Sequence, residues 1–302
     1  MTRRTALPPA GGLRTAITHP DKVFWPKEGY TKLDLAAFYD RIFPYLSPYV
    51  RDRLLTLERC PDGMAGNCFY QREAPRGLPV AIPTKRIRDE KGVTNYIVGG
   101  LRATQLALVN LGCIAVHVWA SRSRAPRQPD WMCLDVDPTS GEFADAARAG
   151  RHIKDALDVL GLVSFPKTSG GRGLHVFVPI RLGPDATEVL AFAEAFVRRL
   201  AAAHPRELTV EARIAGRRGR VYLDPFRNGI AQTVVAPFSV RRRPKAPVST
   251  PLHWSEVTPA LVPSNFNLGN FTRRLEHPNP WQEFFRRRQS LAPAMKRLQR
   301  EL

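Results

Sequence analysis

The chain has 302 residues, of which 46 are Lys or Arg and 27 are Asp or Glu, giving a formal charge of +19. Apolar residues make up 43 % and charged residues 24 %, a globular balance rather than a disordered one. So large a cationic excess suits a polyanionic partner, nucleic acid or nucleotide ahead of an anionic membrane, with plain solubility charge as the alternative.

Residues 1–15 are polar and carry Pro and Gly, which reads as a mobile arm. Thr31 with Asp34 three positions on is a capping-box pattern, and Leu35, Phe38, Tyr39, Ile42 and Leu46 follow at helical spacing, so a helix is expected over 32–46. Residues 53–58 and 68–71 read as a strand pair around the ProAspGly turn at 61–63. The charged stretch PTKRIRDEKGVTN, 83–95, reads as a loop, 101–111 as a helix, and 113–119 and 131–136 as strands joined by the basic loop SRSRAPRQPD. A helix over 143–160 stops at Gly161. Strands at 162–165 and 174–179 flank a Gly-rich turn, and a helix follows over 185–203. Short strands are expected at 209–213, 221–224 and 233–236, then basic helical segments near 280–289 and 292–301. Hairpins and crossovers together argue an α+β fold with mixed, largely antiparallel sheets flanked by helices. With no linker or internal repeat, 16–302 reads as one compact domain of a size that suits catalysis, with room for a small N-terminal lobe.

The longest apolar run, 106–120, is interrupted by Asn110 and His117 and is too short to span a bilayer. The start, MTRRTALPPAGG, lacks an apolar signal core, so an intracellular, cytoplasmic chain is expected. Cys60, Cys68, Cys113 and Cys133 show no CxxC pair and no zinc-ligand spacing. Neither a structural zinc nor a disulfide is expected from them, and Cys113 and Cys133 read as small core residues.

Four features carry chemistry. In WMCLDVDP, 131–138, Asp135 and Asp137 close an apolar strand and share one face, about 7 Å apart for a ~3.3 Å rise per residue. Two such carboxylates repel unless a cation lies between them, and hard oxygen ligands suit Mg²⁺ or Mn²⁺; a strand-end turn is the plain alternative. In TSGGRGLH, 168–175, glycines can form an anion-binding nest, Arg172 adds a cation, and His175 opens a strand expected beside that of Asp135. An ordinary hairpin is the alternative. In GRRGRVYLDPFRNG, 216–229, Asp224 is a third strand-end carboxylate. Three carboxylates on neighbouring strands can hold two metal ions for phosphoryl or nucleotidyl transfer; a capping role before Pro225 is the alternative. In APFSVRRRP, 236–244, Arg241 and Arg243 share a face if the segment is a strand, and suit a triphosphate or a nucleic-acid backbone. The C-terminal cluster of Arg286 to Arg288, Lys296, Arg297 and Arg300 reads as a solvated face or a non-specific contact.

With those residues in view, the chain resembles the polymerase domain of bacterial ligase D, in the archaeo-eukaryotic primase superfamily. HPDKVFWPKEGYTKLDLAAFYD, ERCPDGMAGNCFYQR, AVHVW, CLDVDP, TSGGRGLHVFVPI, GRVYLDPFRNG, TVVAPFSVRRR and APVSTPLHWSEV stand in the family's order across roughly 15–260. The resemblance implies an RRM-like primase-polymerase core with Asp135, Asp137 and Asp224 as ligands of two Mn²⁺ or Mg²⁺ ions. It implies that Ser169, Gly170, Arg172 and His175 bind the triphosphate of an NTP or dNTP, with Arg241 and Arg243. His117 lies near the nucleotide in this likeness, and Phe69 and Tyr70 match an aromatic pair for base or sugar. Lys22 and Lys32 match lysines that grip the 5′-phosphate of gapped DNA, and Arg217 a DNA-contacting residue near the metals. Arg172 stands where lysine is common, Glu58 where some members carry lysine, and ProPheArg at 225–227 where an aromatic–polar–Gln run is usual.

The function implied is a template-directed nucleotidyltransferase that extends 3′ ends and fills gaps at DNA breaks in end-joining repair, with Mn²⁺ preference and ribonucleotide incorporation. Its partners would be gapped, nicked or overhanging DNA with a downstream 5′-phosphate, Ku, and a separate ATP-dependent ligase, at a bacterial nucleoid. A primase that starts chains de novo and a catalytically silent DNA-end-binding module are the alternatives.

Overall fold

Thr31 opens the first helix as the sequence requires. Its side chain accepts from the Asp34 backbone N–H at 3.2 Å while the Asp34 carboxylate accepts from the Thr31 N–H at 2.7 Å. The helix, α1 (Lys32–Val50), runs a turn beyond its expected end and buries Leu35, Phe38, Tyr39, Ile42 and Leu46. The computed structural model describes residues 16–89 and 92–301, so the arm expected at 1–15 lies outside the described residues. The chain divides into two compact units. Unit 1 comprises Met1–Trp119, Val235–Ser249 and Ser264–His277; unit 2 comprises Ala120–Val234, Thr250–Pro263 and Pro278–Leu302.

Unit 1 begins with a small antiparallel pair, β1 (Val23–Trp25) and β2 (Tyr30–Thr31), ahead of α1. Its main sheet has the order β13-β7-β3-β4, from β3 (Leu55–Arg59), β4 (Phe69–Gln71), β7 (Cys113–Val118) and the short β13 (Val234–Val235). Between β4 and β7 stand β5 (Thr84–Asp89), β6 (Gly92–Ile97) and α2 (Arg102–Asn110). The Tyr39 hydroxyl ties α1 to the sheet by donating to the Ile114 carbonyl at 2.7 Å, and it accepts from the Val240 N–H at 3.1 Å.

Unit 1 corrects three expectations. The 83–95 segment is a hairpin, not a loop: β5 and β6 pair antiparallel from Thr84 opposite Ile97 to Asp89 opposite Gly92. Its charges conceal the strand pattern, because the exposed part of the hairpin carries them while the β-branched Ile87, Val93 and Thr94 suit a strand and only its end, Tyr96 and Ile97, is buried. Cys60 and Cys68 form a disulfide. The β3–β4 register sets Arg59 opposite Phe69, so the next pair outward is Cys60 and Cys68. Arg241 to Arg243 lie in a turn, with the Arg243 N–H donating to the Arg241 carbonyl at 2.8 Å, so strand alternation does not set their faces.

Unit 2 is a five-stranded sheet of order β11-β12-β8-β10-β9, from β8 (Trp131–Pro138), β9 (Phe165–Thr168), β10 (Leu174–Pro179), β11 (Leu208–Thr209) and β12 (Val221–Asp224). Only the β11–β12 pair among them is parallel. Two long helices, α3 (Phe143–Val159) and α4 (Ala186–Ala203), serve the sheet. Gly150 of α3 lies so near Leu174 of β10 that a Cβ there would stand 2.4 Å from the Leu174 Cδ2, which seats the helix directly on the Val136–Leu174 side of the sheet. The strand expected at 209–213 shrinks to Leu208–Thr209. Thr209 Oγ1 accepts from the Glu211 N–H at 3.1 Å and the Glu211 carboxylate accepts from the Arg213 N–H at 2.9 Å, so side chains turn the backbone into a short helix, α5 (Ile214–Arg217). The expected helical segment near 280–289 is a 3₁₀ turn at Phe284–Arg287, and α6 (Ala292–Glu301) follows. No helix among the described residues is long and apolar enough to cross a membrane.

Candidate active site

The pairing of β8 decides the chemistry of unit 2. Asp135 lies opposite Asp224 on one side and opposite His175 on the other, and His175 lies opposite Lys167. Side chains directly opposite in a ladder share a face, so four strands present one row: Asp224, Asp135, His175, Lys167. Asp137 joins the same face two residues on from Asp135, opposite Tyr222. The expected grouping of three carboxylates with His175 is therefore present.

Each member has a defined partner. Lys167 is fully buried, and its Nζ stands 2.8 Å from His175 Nδ1. An ammonium can only donate, so Nδ1 accepts and the ring hydrogen sits on Nε2, 3.3 Å from Asp135 Oδ1. Arg227 bridges two carboxylates, with Nε 3.3 Å from Asp135 Oδ2 and Nη2 3.1 Å from Asp224 Oδ2. Arg217 donates to Asp137 Oδ2 at 2.8 Å, with its guanidinium 4.4 Å from the Tyr222 ring centre. Burial opposes the charge on Asp135, but His175, Arg227 and Lys167 together outweigh it and hold the carboxyl well below the usual range. Asp224 goes the other way. Burial raises it, Arg227 lowers it less, and the neighbouring Asp135 pushes it up further. Burial first, and then Asp224, push the Tyr222 phenol up to about 12.

Two residues without an assigned role in the sequence reading hold this row. Lys167 lies just ahead of the Gly-rich motif, on the strand face of His175; its signal is a lysine alternating with Phe165 in a strand that is buried throughout. Asn228 is buried and takes the place of a strand where β12 has ended. Its side chain accepts from the Cys133 N–H and donates to the Cys133 carbonyl, both at 2.8 Å. That pairing fixes the 3₁₀ turn Phe226–Asn228 and aims Arg227 at the carboxylates.

The Gly-rich turn joins β9 to β10 as expected. Gly170 has φ +73°, where a side chain is strained, and a Cβ on Gly173 would stand 2.6 Å from the Val136 carbonyl. The Gly171 and Gly173 N–H groups both donate to Ser169 Oγ at 3.2 Å. Arg172 is exposed beside Gly141.

Unit 1 gathers its own group. Tyr70 meets His117 edge-on with ring centres 5.4 Å apart. Glu58 lies opposite Tyr70 in the ladder and pairs with Arg242 at 2.8 Å. Burial and then Glu58 raise the Tyr70 phenol, while Arg241, Arg242 and Arg243 pull it down, so all three arginines act on this ring. Phe69 is on the opposite face of β4, with the Arg59 guanidinium 5.4 Å from its ring, so the two aromatics do not share a surface. Lys22 pairs with Asp62 at 2.5 Å. Lys32 is buried, its Nζ donating to the Thr18 carbonyl at 2.8 Å and to Asn110 Oδ1 at 3.0 Å. Burial, with Lys22 nearby, holds the Lys32 pKa down.

The model of the LigD primase-polymerase domain family matches residues 31–281. The chain belongs to that family. The multifunctional non-homologous end joining protein LigD of Pseudomonas aeruginosa is 31% identical over 304 residues, covering 95% of this chain and 35% of that protein. The bifunctional LigD of Bacillus subtilis is 29% identical over 275 residues, covering 89% of this chain and 44% of that protein. The chain thus spans less than half the length of these LigD relatives. The solved polymerase domain of Mycobacterium tuberculosis ligase D, in complex with DNA, superposes with a TM-score of 0.83 at 25% identity, covering 89% of this chain and 96% of that one. The α+β architecture is accordingly that of the LigD primase-polymerase domain.

Proposed function

We propose that this chain is a template-directed nucleotidyltransferase that extends 3′ ends and fills gaps at DNA breaks, acting in non-homologous end joining. The observation that carries the reading is the register of β8, which sets Asp135 between Asp224 and His175. Asp135, Asp137 and Asp224 would hold Mn²⁺ or Mg²⁺. The donor set is all carboxylate oxygen, which suits these hard ions. Arg227 already bridges Asp135 and Asp224, so both carboxylates converge on one cation. When bound, such ions lower the pKa of an attacking hydroxyl and neutralise a departing pyrophosphate.

The chain's own residues set the stage for that transfer. Lys167 fixes the His175 tautomer and so points a donor, Nε2–H, along the carboxylate row. At the β9–β10 turn the Gly171 and Gly173 N–H groups hold the Ser169 hydroxyl in place, and Ser169, Gly170 and the exposed Arg172 are positioned to take a phosphate. Within unit 1, Arg241 and Arg243 beside Tyr70 and His117 suit a nucleotide's phosphate and ring, and Lys22 with Lys32 suit a 5′-phosphate. The substrates are then NTPs or dNTPs, ribonucleotides included. The macromolecular partners are gapped DNA, Ku and an ATP-dependent DNA ligase activity.

Primer extension on a gapped duplex with Mn²⁺ tests this. Asp135→Ala with Asp137→Ala should lower extension by more than ~100-fold, the scale on which charge stabilisation of a reacting group is lost, while DNA affinity stays near the parent's. Undiminished extension by the double variant would sink the proposal. Affinity should also weaken steeply with salt.

A further inference from the structure

Unit 2 carries a second cluster of metal-ligating side chains, separate from the carboxylate row. His152 lies on α3, His204 caps the C-terminus of α4, and Glu207 lies on the turn leading into β11. One donor atom from each lies within 4.8 Å of the other two. His152 Nε2 and Glu207 Oε2 stand 3.4 Å apart, the separation of two donors on a tetrahedral ion with bonds of ~2.0–2.1 Å. The His204 ring stacks on that of His152 with centres 3.9 Å apart and planes 28° from parallel.

The backbone beneath the cluster is firmly held. The His204 carbonyl accepts from the Glu207 N–H at 3.1 Å and from the Leu208 N–H at 2.9 Å, and the Glu207 carbonyl accepts from the Val221 N–H at 2.8 Å. His204 and Glu207 are therefore fixed as a pair on the rim of the sheet, while the part-exposed imidazoles can turn.

We propose that His152, His204 and Glu207 form a binding site for an imidazole-preferring divalent ion of the Zn²⁺ class, with water as the fourth ligand. Two imidazoles and one carboxylate match the soft-to-borderline preference of zinc, copper and nickel and are a poor set for Mg²⁺. The bound ion ties α3 to the turn after α4, so its effect is on the rigidity of unit 2 and not on nucleotide transfer.

The test is equilibrium dialysis of metal-stripped full chain against Zn²⁺ in excess Mg²⁺, on an Asp135→Asn, Asp137→Asn background that weakens the carboxylate row. One Zn²⁺ per chain should bind, and thermal unfolding should move to higher temperature with Zn²⁺. His152→Ala or His204→Ala should each weaken Zn²⁺ binding at least ~10-fold and erase the thermal shift. Glu207→Gln, at an exposed position that packing does not need, should weaken it less. An anomalous zinc peak at the three side chains would support the assignment directly. Absence of Zn²⁺ binding, or unchanged binding in the His152→Ala, His204→Ala double variant, would overturn it.

Discussion

Phe177 and His175 stand two residues apart on the same face of β10, yet they belong to two different environments. Around Phe177 the face is packed by aromatic rings. Trp131 lies 5.6 Å away centre to centre, Trp281 5.2 Å away, and Trp281 stacks on Phe284 at 4.9 Å. Around His175 the same face carries Lys167, Asp135, Asp224 and Arg227. Lys167 joins the two, with its ammonium on His175 and 5.6 Å from the Phe177 ring centre. The apolar end immobilises the strands by close packing, which lets the polar end hold like charges at fixed positions that they would not choose by themselves.

The comparison is tested most severely at Phe177. Phe177→Ala removes a fully buried ring from the centre of the aromatic cluster and should cost ~3–5 kcal/mol of unfolding free energy in urea titration. Extension activity should fall with it at temperatures where the variant is still folded, because the strands that align the row lose their anchor. A variant that loses the stability but keeps full activity would show that the charged end organises itself.

Arg227 tests the other end. If its guanidinium occupies the position that a divalent ion shares between Asp135 and Asp224, the two compete. Arg227→Met should then tighten Mn²⁺ binding several-fold in an EPR titration of free Mn²⁺. Weaker binding in Arg227→Met would mean that the arginine is a scaffold holding the carboxylates in place.

The two ends were not equally legible. The period-two rule put Asp135 and Asp137 on one face from sequence alone, and the Thr31 capping box and the α1 stripe came from the same kind of local rule. The partners across strands depend on register, which composition does not set. Hence Asp224 could be expected on a neighbouring strand but not directly opposite Asp135, and Lys167 passed without a role. The Cys60–Cys68 disulfide was missed for the same reason: 53–58 and 68–71 were expected to pair, but the cysteines meet only because Arg59 lies opposite Phe69. Arg227 and Asn228 escaped because a 3₁₀ turn after Pro225, not a strand, returns them to β8. At 83–95 charge hid a hairpin whose buried anchor, Tyr96 and Ile97, lies at its very end.

The finest test lies within the charged end itself, between the two carboxylates that face each other. Asp135 has its pKa lowered in the folded chain, so its ionisation adds stability that is present above the unfolded value of ~3.9 and is lost as pH falls through the folded one. Asp224 has its pKa raised, so its ionisation subtracts stability above the folded value, and that cost fades as pH falls toward the unfolded one. In EDTA at neutral pH, Asp135→Asn should therefore lower the melting temperature and Asp224→Asn should raise it by at most a few degrees. Both differences should shrink toward acid, the Asp224 one first, because its folded value is the higher. Asparagine keeps an oxygen that can accept from the Phe226 N–H, now at 2.7 Å from Asp224 Oδ1, so the substitution isolates the charge from the turn it caps. Equal losses at the two positions would mean that the row tolerates no neutral member, and that the cations Arg227 and Lys167 need both carboxylates charged to stay buried together.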